Sequence, residues 1–259
     1  MPKLKKLVLL YRKYTIDSAG MARFNEKDYI RQLSIDCVLF AYKDLQLKVL
    51  IEKLRFKGNF WTLPGGFVKN TEDIDKAAQR ILYARTGLTD IVLDQFYVFG
   101  KADRNSSVLL KKLVKLNPEL QQKELDKKTI DWITQRFISI GYFGVVDLDV
   151  VSTKKNEIDA TLEWRNVNDL PVLIMDHSDI ILKAIEALRN NLHEKLIAFR
   201  FLPTPFTMKE IQQVYETIFA KKFIRTNFQK KILDMNVLIR LKKKYTGAAN
   251  KAPYLYKLK

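Results

Sequence analysis

Between Thr62 and Leu88 the chain reads TLPGGFVKNTEDIDKAAQRILYARTGL. Three carboxylates, Glu72, Asp73 and Asp75, fall within four residues, and oxygen ligands of this kind suit hard divalent cations. A metal site that polarises a diphosphate needs its acids converging, and a helix does this at i, i+3 and i+4. On the helix expected to follow, one set of positions with this spacing is Ile81, Ala84 and Arg85, and none of the three is an acid. Two are neutral and one is cationic, so a divalent cation would be repelled rather than held. The stretch has the outline of a hydrolytic site without most of its acids.

The elements around it can be read from periodicity. From Tyr29 the sequence predicts two strands around a turn at Lys43-Asp44, with Cys37–Phe40 and Leu47–Ile51 as their apolar runs. FKGNFWTLPGGF is rich in turn residues. A helix then begins near Glu72, with Ile74, Ala77, Ala78, Ile81, Leu82 and Arg85 on one face, and ends at Gly87. Strands are expected within IVLDQFYVFG, RFISIGYFGVVDLD and ATLEWRNVNDL. A charged insert at 105–131, broken by Pro118, reads as a loop with helical pieces, either a surface feature or a partner contact. Residues 176–196 predict an amphipathic helix with Ile180, Ile181, Ala184, Ile185 and Leu188 together. With IAFRFLP it joins two units, and His177 starts or caps it. His193 reads as an exposed residue.

Gly66, Glu72, Arg80, Gly87 and the apolar Leu88, with LPGGFV before and WRNVNDLP after, resemble the Nudix box and its flanking strands. The resemblance covers about residues 30–175 and implies a Nudix-like α/β/α sandwich. It implies that Glu72 and Arg80 pair to brace the loop-helix-loop and that Gly66 and Gly87 serve the backbone. It also places the family's metal-binding glutamates at Ile81, Ala84 and Arg85. The expectation is therefore no catalytic residue, no metal and no cofactor: a binder rather than a catalyst.

Of 259 residues, 46 are Lys or Arg and 29 Asp or Glu, a formal charge of +17. Residues 203–259 carry 13 basic against 3 acidic side chains, and residues 25–202 carry 27 against 25. Such segregation is the electrostatic signature of a polyanion-binding unit attached to a near-neutral body. In the basic unit Thr207 and Glu210 predict a capping box. A helix with Ile211, Val214, Tyr215, Ile218 and Phe219 inward should follow. A second helix near Arg225 should pack Phe228, Ile232 and Leu233. Its other face offers Arg225, Thr226, Asn227, Gln229, Lys230 and Lys231. Asn, Gln and Arg suit base edges and Lys suits phosphates. Two strands around a loop with Lys242, Lys243, Lys244, Asn250 and Lys251 complete a winged helix. Tyr254 and Tyr256 read as core.

This combination resembles the Nudix-related transcriptional regulators, which include repressors of NAD metabolism that sense ADP-ribose and a sugar-responsive branch. LPGGFV, DHSDII and the TNFQKK helix lie nearer the latter. What it implies is a cytoplasmic homodimer on a palindromic operator in double-stranded DNA, regulated by a small-molecule effector, with no membrane partner. Arg55, Trp61, Phe67, Asp103 and Arg104 are the effector-binding candidates. The expected units are a basic extension (1–27, with a conceivable second start at Met21), a sensing domain (28–175), a linker helix and segment (176–202) and the winged helix (203–259). The rival expectation is an active nucleoside diphosphate hydrolase using Glu72, Asp73 and Asp75, with a basic nucleic-acid-binding tail. Cys37, the sole cysteine, lies within a strand and excludes a disulfide framework.

Overall fold

Strand β1 (Tyr29–Lys43) is the spine of the molecule, and the pattern of its burial explains the layers on either side. A strand alternates its side chains between faces. Ile35, Cys37 and Leu39 enter one core with Ala77, Ala78, Ile81 and Leu82, while Val38 and Phe40 enter another with Ile180, Ile181, Ala184 and Leu188. Both faces are covered, so the strand is buried without a break from Ser34 to Ala41. The structure is a computed structural model and describes residues 25–54, 56–118, 127–148, 161–192, 194, 196–245 and 252–259. Residues 1–24, Arg55, part of the 105–131 insert, His193, Asn250 and Lys251 lie outside these.

Around β1, β2 (Gln46–Lys53) and β4 (Gly65–Lys69) pair antiparallel and β6 (Ile138–Val146) pairs parallel. β3 (Trp61–Thr62) and β7 (Thr161–Asn166) join β2, and β5 (Leu93–Phe99) closes the far side on β6. Helix α1 (Ile74–Thr86) covers one face and α4 (His177–Asn191) the other, the predicted α/β/α sandwich. Gly87 ends α1 in the left-handed region at φ 72°, its N–H donating to Tyr83 O at 2.8 Å. The β1–β2 turn sits one residue later than the sequence suggests. Asp44 and Leu45 both take positive φ, the geometry that fits a two-residue hairpin to the strand twist.

The insert supplies helices α2 (Ser107–Leu116) and α3 (Lys127–Ile133). Leu113 packs against Leu54 and Phe60, and Trp132 and Ile133 against Phe67 and Phe137. The buried Asn117 side chain pairs with the Lys57 backbone, donating to Lys57 O at 3.2 Å and accepting from Lys57 N at 3.0 Å. The described parts of the insert thus wall the sandwich.

Helix α4 packs on the sheet, and its last turn meets the basic unit where Arg189 Nε donates to Ile218 O at 2.7 Å. After a 3-10 turn at Ile197–Phe201 come β8 (Phe206–Thr207), α5 (Met208–Phe219), α6 (Arg225–Asp234), β9 (Leu238–Lys243) and β10 (Tyr254–Leu258). β8, β10 and β9 form a three-stranded sheet. This is the predicted winged helix. The capping box forms: Glu210 N donates to Thr207 Oγ1 at 3.3 Å and Thr207 N to Glu210 Oε2 at 2.6 Å. Two side chains depart from expectation. Leu233 faces outward, 42% exposed, because α6 turns only Phe228 and Ile232 into the core. Tyr254 stays at the surface with Arg240 stacked 4.6 Å from its ring, while Tyr256 is buried as expected.

Candidate functional site

The loop-helix-loop is braced as its residues imply. Arg80 clamps Glu72 through Nε to Oε2 at 2.8 Å and Nη2 to Oε1 at 2.5 Å, and Nη2 also donates to Phe67 O at 2.9 Å. Partial burial pushes the Glu72 pKa up, but bonds from Arg80 and the Lys69 N–H outweigh it and hold the pKa below the ordinary value. A Cβ on Gly66 would stand 2.9 Å from Ile81 Cγ1, and one on Gly65 would stand 2.5 Å from Asp36 Oδ1 and 2.9 Å from Ile35 O. Ile81 therefore packs into the space beside the glycine turn. Arg85 reaches inward as well: Nε donates to Gly65 O at 2.9 Å and Nη1 lies 3.4 Å from Glu52 Oε1. The acids named for the rival hydrolase do not converge on one another in bonding. Glu72 serves Arg80, Asp73 pairs with Lys76 at 2.9 Å, and Asp75 accepts from Tyr142 Oη.

Beneath the insert is a cavity of about 80 Å³ with a charged floor. Arg104 spans it, Nη2 donating to Asp36 Oδ2 at 3.3 Å, Nε to Asp176 Oδ2 at 2.8 Å and Nη1 to Phe137 O at 3.3 Å. Ser139 Oγ also donates to Asp36 Oδ2, at 2.5 Å. His177 completes the floor. Its Nδ1 accepts from Leu63 N at 2.9 Å and lies 3.2 Å from Thr62 Oγ1, so the ring proton belongs on Nε2, 3.8 Å from Asp36 Oδ1. Phe67, Phe137, Leu109 and Ile133 supply its apolar walls. A wider cleft of about 580 Å³, lined by Phe60, Val108, Lys112 and Val172 among others, shares Leu109, Ile174 and Met175 with the cavity.

Burial, then the Arg104 charge, lowers the His177 pKa against the opposing pull of Asp36 and Asp176. A depressed folded pKa makes the unfolded chain bind the extra proton first. The stability tied to neutral His177 is present above about pH 6.5 and lost as pH falls from there toward the folded value. Urea unfolding at pH 7.5, 6.5 and 5.5 should show this fall, no steeper than about 1.4 kcal/mol per pH unit for one proton. His177→Gln should flatten it.

Of the effector candidates, the structure brings Arg104 and Phe67 to this cavity and leaves Asp103 exposed outside it. Trp61 is buried in the neighbouring wall, with Lys53 and Arg165 each 5.4 Å from its ring, and lines the wider cleft. Arg55 lies outside the described residues. Asp36 and His177 line the cavity, Asp176 bonds Arg104 there and Glu52 pairs with Arg85, which also lines it; none of the four is among the candidates read from the sequence. The available signal was a pair of carboxylates inside apolar strand runs, since such charges are buried only with partners.

On the winged helix, Arg225, Thr226, Asn227, Lys230 and Lys231 are exposed along α6, with Gln229 half-buried. Lys242 and Lys244 project from β9 and its end, and Lys243 stacks 5.4 Å from the Tyr254 ring. Lys244 also lies 3.4 Å from Glu210 Oε1. The turn before α6 is held by Glu216, which accepts from Lys222, the Phe223 N–H and Gln212. These bonds bring its pKa down to about 2.

A Nudix-type sandwich joined to a winged helix defines the class. The NUDIX domain model matches residues 31–186, and the NrtR DNA-binding winged helix domain model matches residues 198–258. The chain belongs to the NUDIX domain family, and its basic unit matches the NrtR DNA-binding winged helix domain. It is 23% identical over 234 residues to the ADPR responsive transcriptional repressor NtrR of Acinetobacter baylyi (strain ATCC 33305 / BD413 / ADP1), covering 87% of this chain and 82% of that protein. It is also similar to the crystal structure of Shewanella oneidensis NrtR, at TM-score 0.62 and 24% identity, covering 88% of this chain and 94% of that one. For Shewanella oneidensis NrtR complexed with a 27mer DNA the TM-score is 0.60 and the identity 22%, with the same coverage. These likenesses carry the fold of both units. Among the described residues no helix is long and apolar enough to cross a membrane.

Proposed function

We propose that the chain is a DNA-binding transcriptional repressor whose Nudix-type domain binds a small metabolite, a sugar or an ADP-ribose-like molecule, and thereby controls operator binding. The working division is a sensing unit at 28–175, a connecting helix and segment at 176–202 and a reader at 203–259. It acts as a cytoplasmic homodimer, each α6 entering a major groove of one palindromic half-site. The observation that carries this reading is the segregated, solvent-facing basic surface of α6 on a winged helix. The Acinetobacter relative, by its name an ADPR responsive repressor, supports the effector. The charged cavity with its adjoining cleft is where that effector enters: Arg104, Asp36 and His177 for hydroxyls, Phe67 for a ring.

Arg85 in place of a metal-holding acid supports a sensing rather than a hydrolytic domain. To regulate, the effector must bind the DNA-free arrangement more tightly than the DNA-bound one, since equal affinity for both shifts nothing. Thermal-shift screening with pentoses and ADP-ribose, followed by duplex release by whichever raises Tm, tests the effector. Incubation with magnesium and nucleoside diphosphate derivatives tests the rival. Robust turnover abolished by Glu72→Ala would establish the hydrolase instead.

For the reader, Lys230→Ala or Lys231→Ala should weaken binding to every duplex and flatten the salt dependence by about one unit per lost phosphate contact. Asn227→Ala or Gln229→Ala should blur discrimination at one base step, at a cost of about 1–3 kcal/mol. Unchanged affinity in all four would show that α6 does not meet DNA.

A further inference from the structure

Helix α6 breaks a local rule at its first position. The N-cap favours Ser, Thr, Asn or Asp because a side-chain oxygen there can accept from the first free N–H groups. Helix α5 obeys this with Thr207, but α6 has Ile224, which makes no side-chain cap bond. The helix start is secured otherwise. Phe228 N donates to Ile224 O at 2.9 Å, and the half-buried Phe223 packs its ring on Phe228 with centroids 5.7 Å apart, a hydrophobic staple. With Phe223 bedded inward, Ile224 projects outward and is 70% exposed.

A lone aliphatic on a protein surface is ordinary. An aliphatic that takes the place of a capping oxygen and still leaves most of its own surface in water is less so, because the staple secures the helix start without burying Ile224. Departures from a local rule are expected at functional or strained positions. Ile224 sits directly before the exposed Arg225, Thr226 and Asn227 and close after the exposed Lys222. In a helix-turn-helix the N-terminal residues of the second helix meet base edges. The cations around Ile224 suit the phosphates flanking such a groove. The apolar feature that a major groove offers is the C5-methyl group of thymine.

We propose that Ile224 is a specificity-determining residue that packs on a thymine methyl in each half-site. This rests on the reading of α6 as the DNA-contacting helix. The test uses the full chain and a duplex enriched from a random pool by the wild-type protein. Each thymine is replaced in turn by deoxyuridine, which lacks only the C5-methyl. One position per half-site should lose about 3- to 5-fold in affinity, the equivalent of one buried methyl. With Ile224→Ala or Ile224→Ser the same replacement should lose less than about 2-fold. Ile224→Ser also restores a capping oxygen, so its Tm should rise by about 2 °C or more while specific affinity falls. A packing role would instead lower Tm in both variants. Absence of a uridine effect, or an equal effect in wild type and variants, overturns the assignment of Ile224 alone. Failure to enrich any duplex overturns the DNA-reading role of α6 and this inference with it.

Discussion

Arg85→Ala should remove about 3–5 kcal/mol of folding stability, an effect large enough to read directly from the urea midpoint. The Arg85 side chain is 5% exposed and that of Glu52 1%, so the ion pair at 3.4 Å is shielded from water on both sides. A buried pair adds little over an apolar pair of the same shape, because desolvation offsets most of the attraction. Removing one member is different. Alanine would take away a counter-charge of Glu52 while Glu52 stays buried, and would also strip Gly65 O of the 2.9 Å bond from Nε. The double variant Arg85→Met with Glu52→Gln should recover much of the loss. A single-variant loss below about 1 kcal/mol would show that this charge is solvated. The same cation bears on function. It stands on the helix face where the family resemblance places metal-binding glutamates, so added magnesium should leave the wild-type Tm unchanged.

The parts of this molecule that could be read in the sequence are those whose causes are local. The turn glycines, the Glu72–Arg80 spacing, the left-handed stop at Gly87 and the Thr207–Glu210 box each arise within a dozen residues, and each is present as read. The burial of β1 was equally legible, because alternation and apolar runs are properties of one strand. The site was harder. Its floor joins Asp36 on β1, Arg104 after β5 and Asp176 with His177 at the start of α4, residues separated by up to 141 positions. No spacing rule links them; only the parallel pairing of β1 with β6 and the packing of α4 across the sheet bring them together. Arg104 was picked out by its residue type, but Asp103 beside it, with the same credentials, points into solvent. Asn117 was illegible for a related reason, since its pairing with Lys57 spans 60 residues inside what reads as a charged loop. Leu233 shows the reverse error: three apolar residues at helical spacing suggested a face, and the short helix buries only two of them.

Arg104→Ala should be as damaging as the loss of Arg85, about 3–5 kcal/mol, because one guanidinium serves three acceptors in a buried site. Asp36 and Asp176 approach it from different elements, and Phe137 O takes a third bond, so the planar fork is used on several sides. Arg104→Lys should therefore recover little: a single ammonium cannot reproduce that fork. Asp176→Asn should cost less than Arg104→Ala, since Arg104 would keep Asp36. A double-mutant cycle of Arg104→Ala with Asp36→Asn should be strongly non-additive, the second change relieving the charge stranded by the first. Additive losses would mean that the two groups do not share one buried network. The readout should extend beyond global unfolding. Asp176 immediately precedes α4, whose other end donates Arg189 Nε to Ile218 O in the winged helix, so amides near Ile218 should exchange faster in Arg104→Ala than in wild type under native conditions. Faster exchange there, with α1 amides less affected, would show the cavity floor and the DNA-reading unit joined through a single helix.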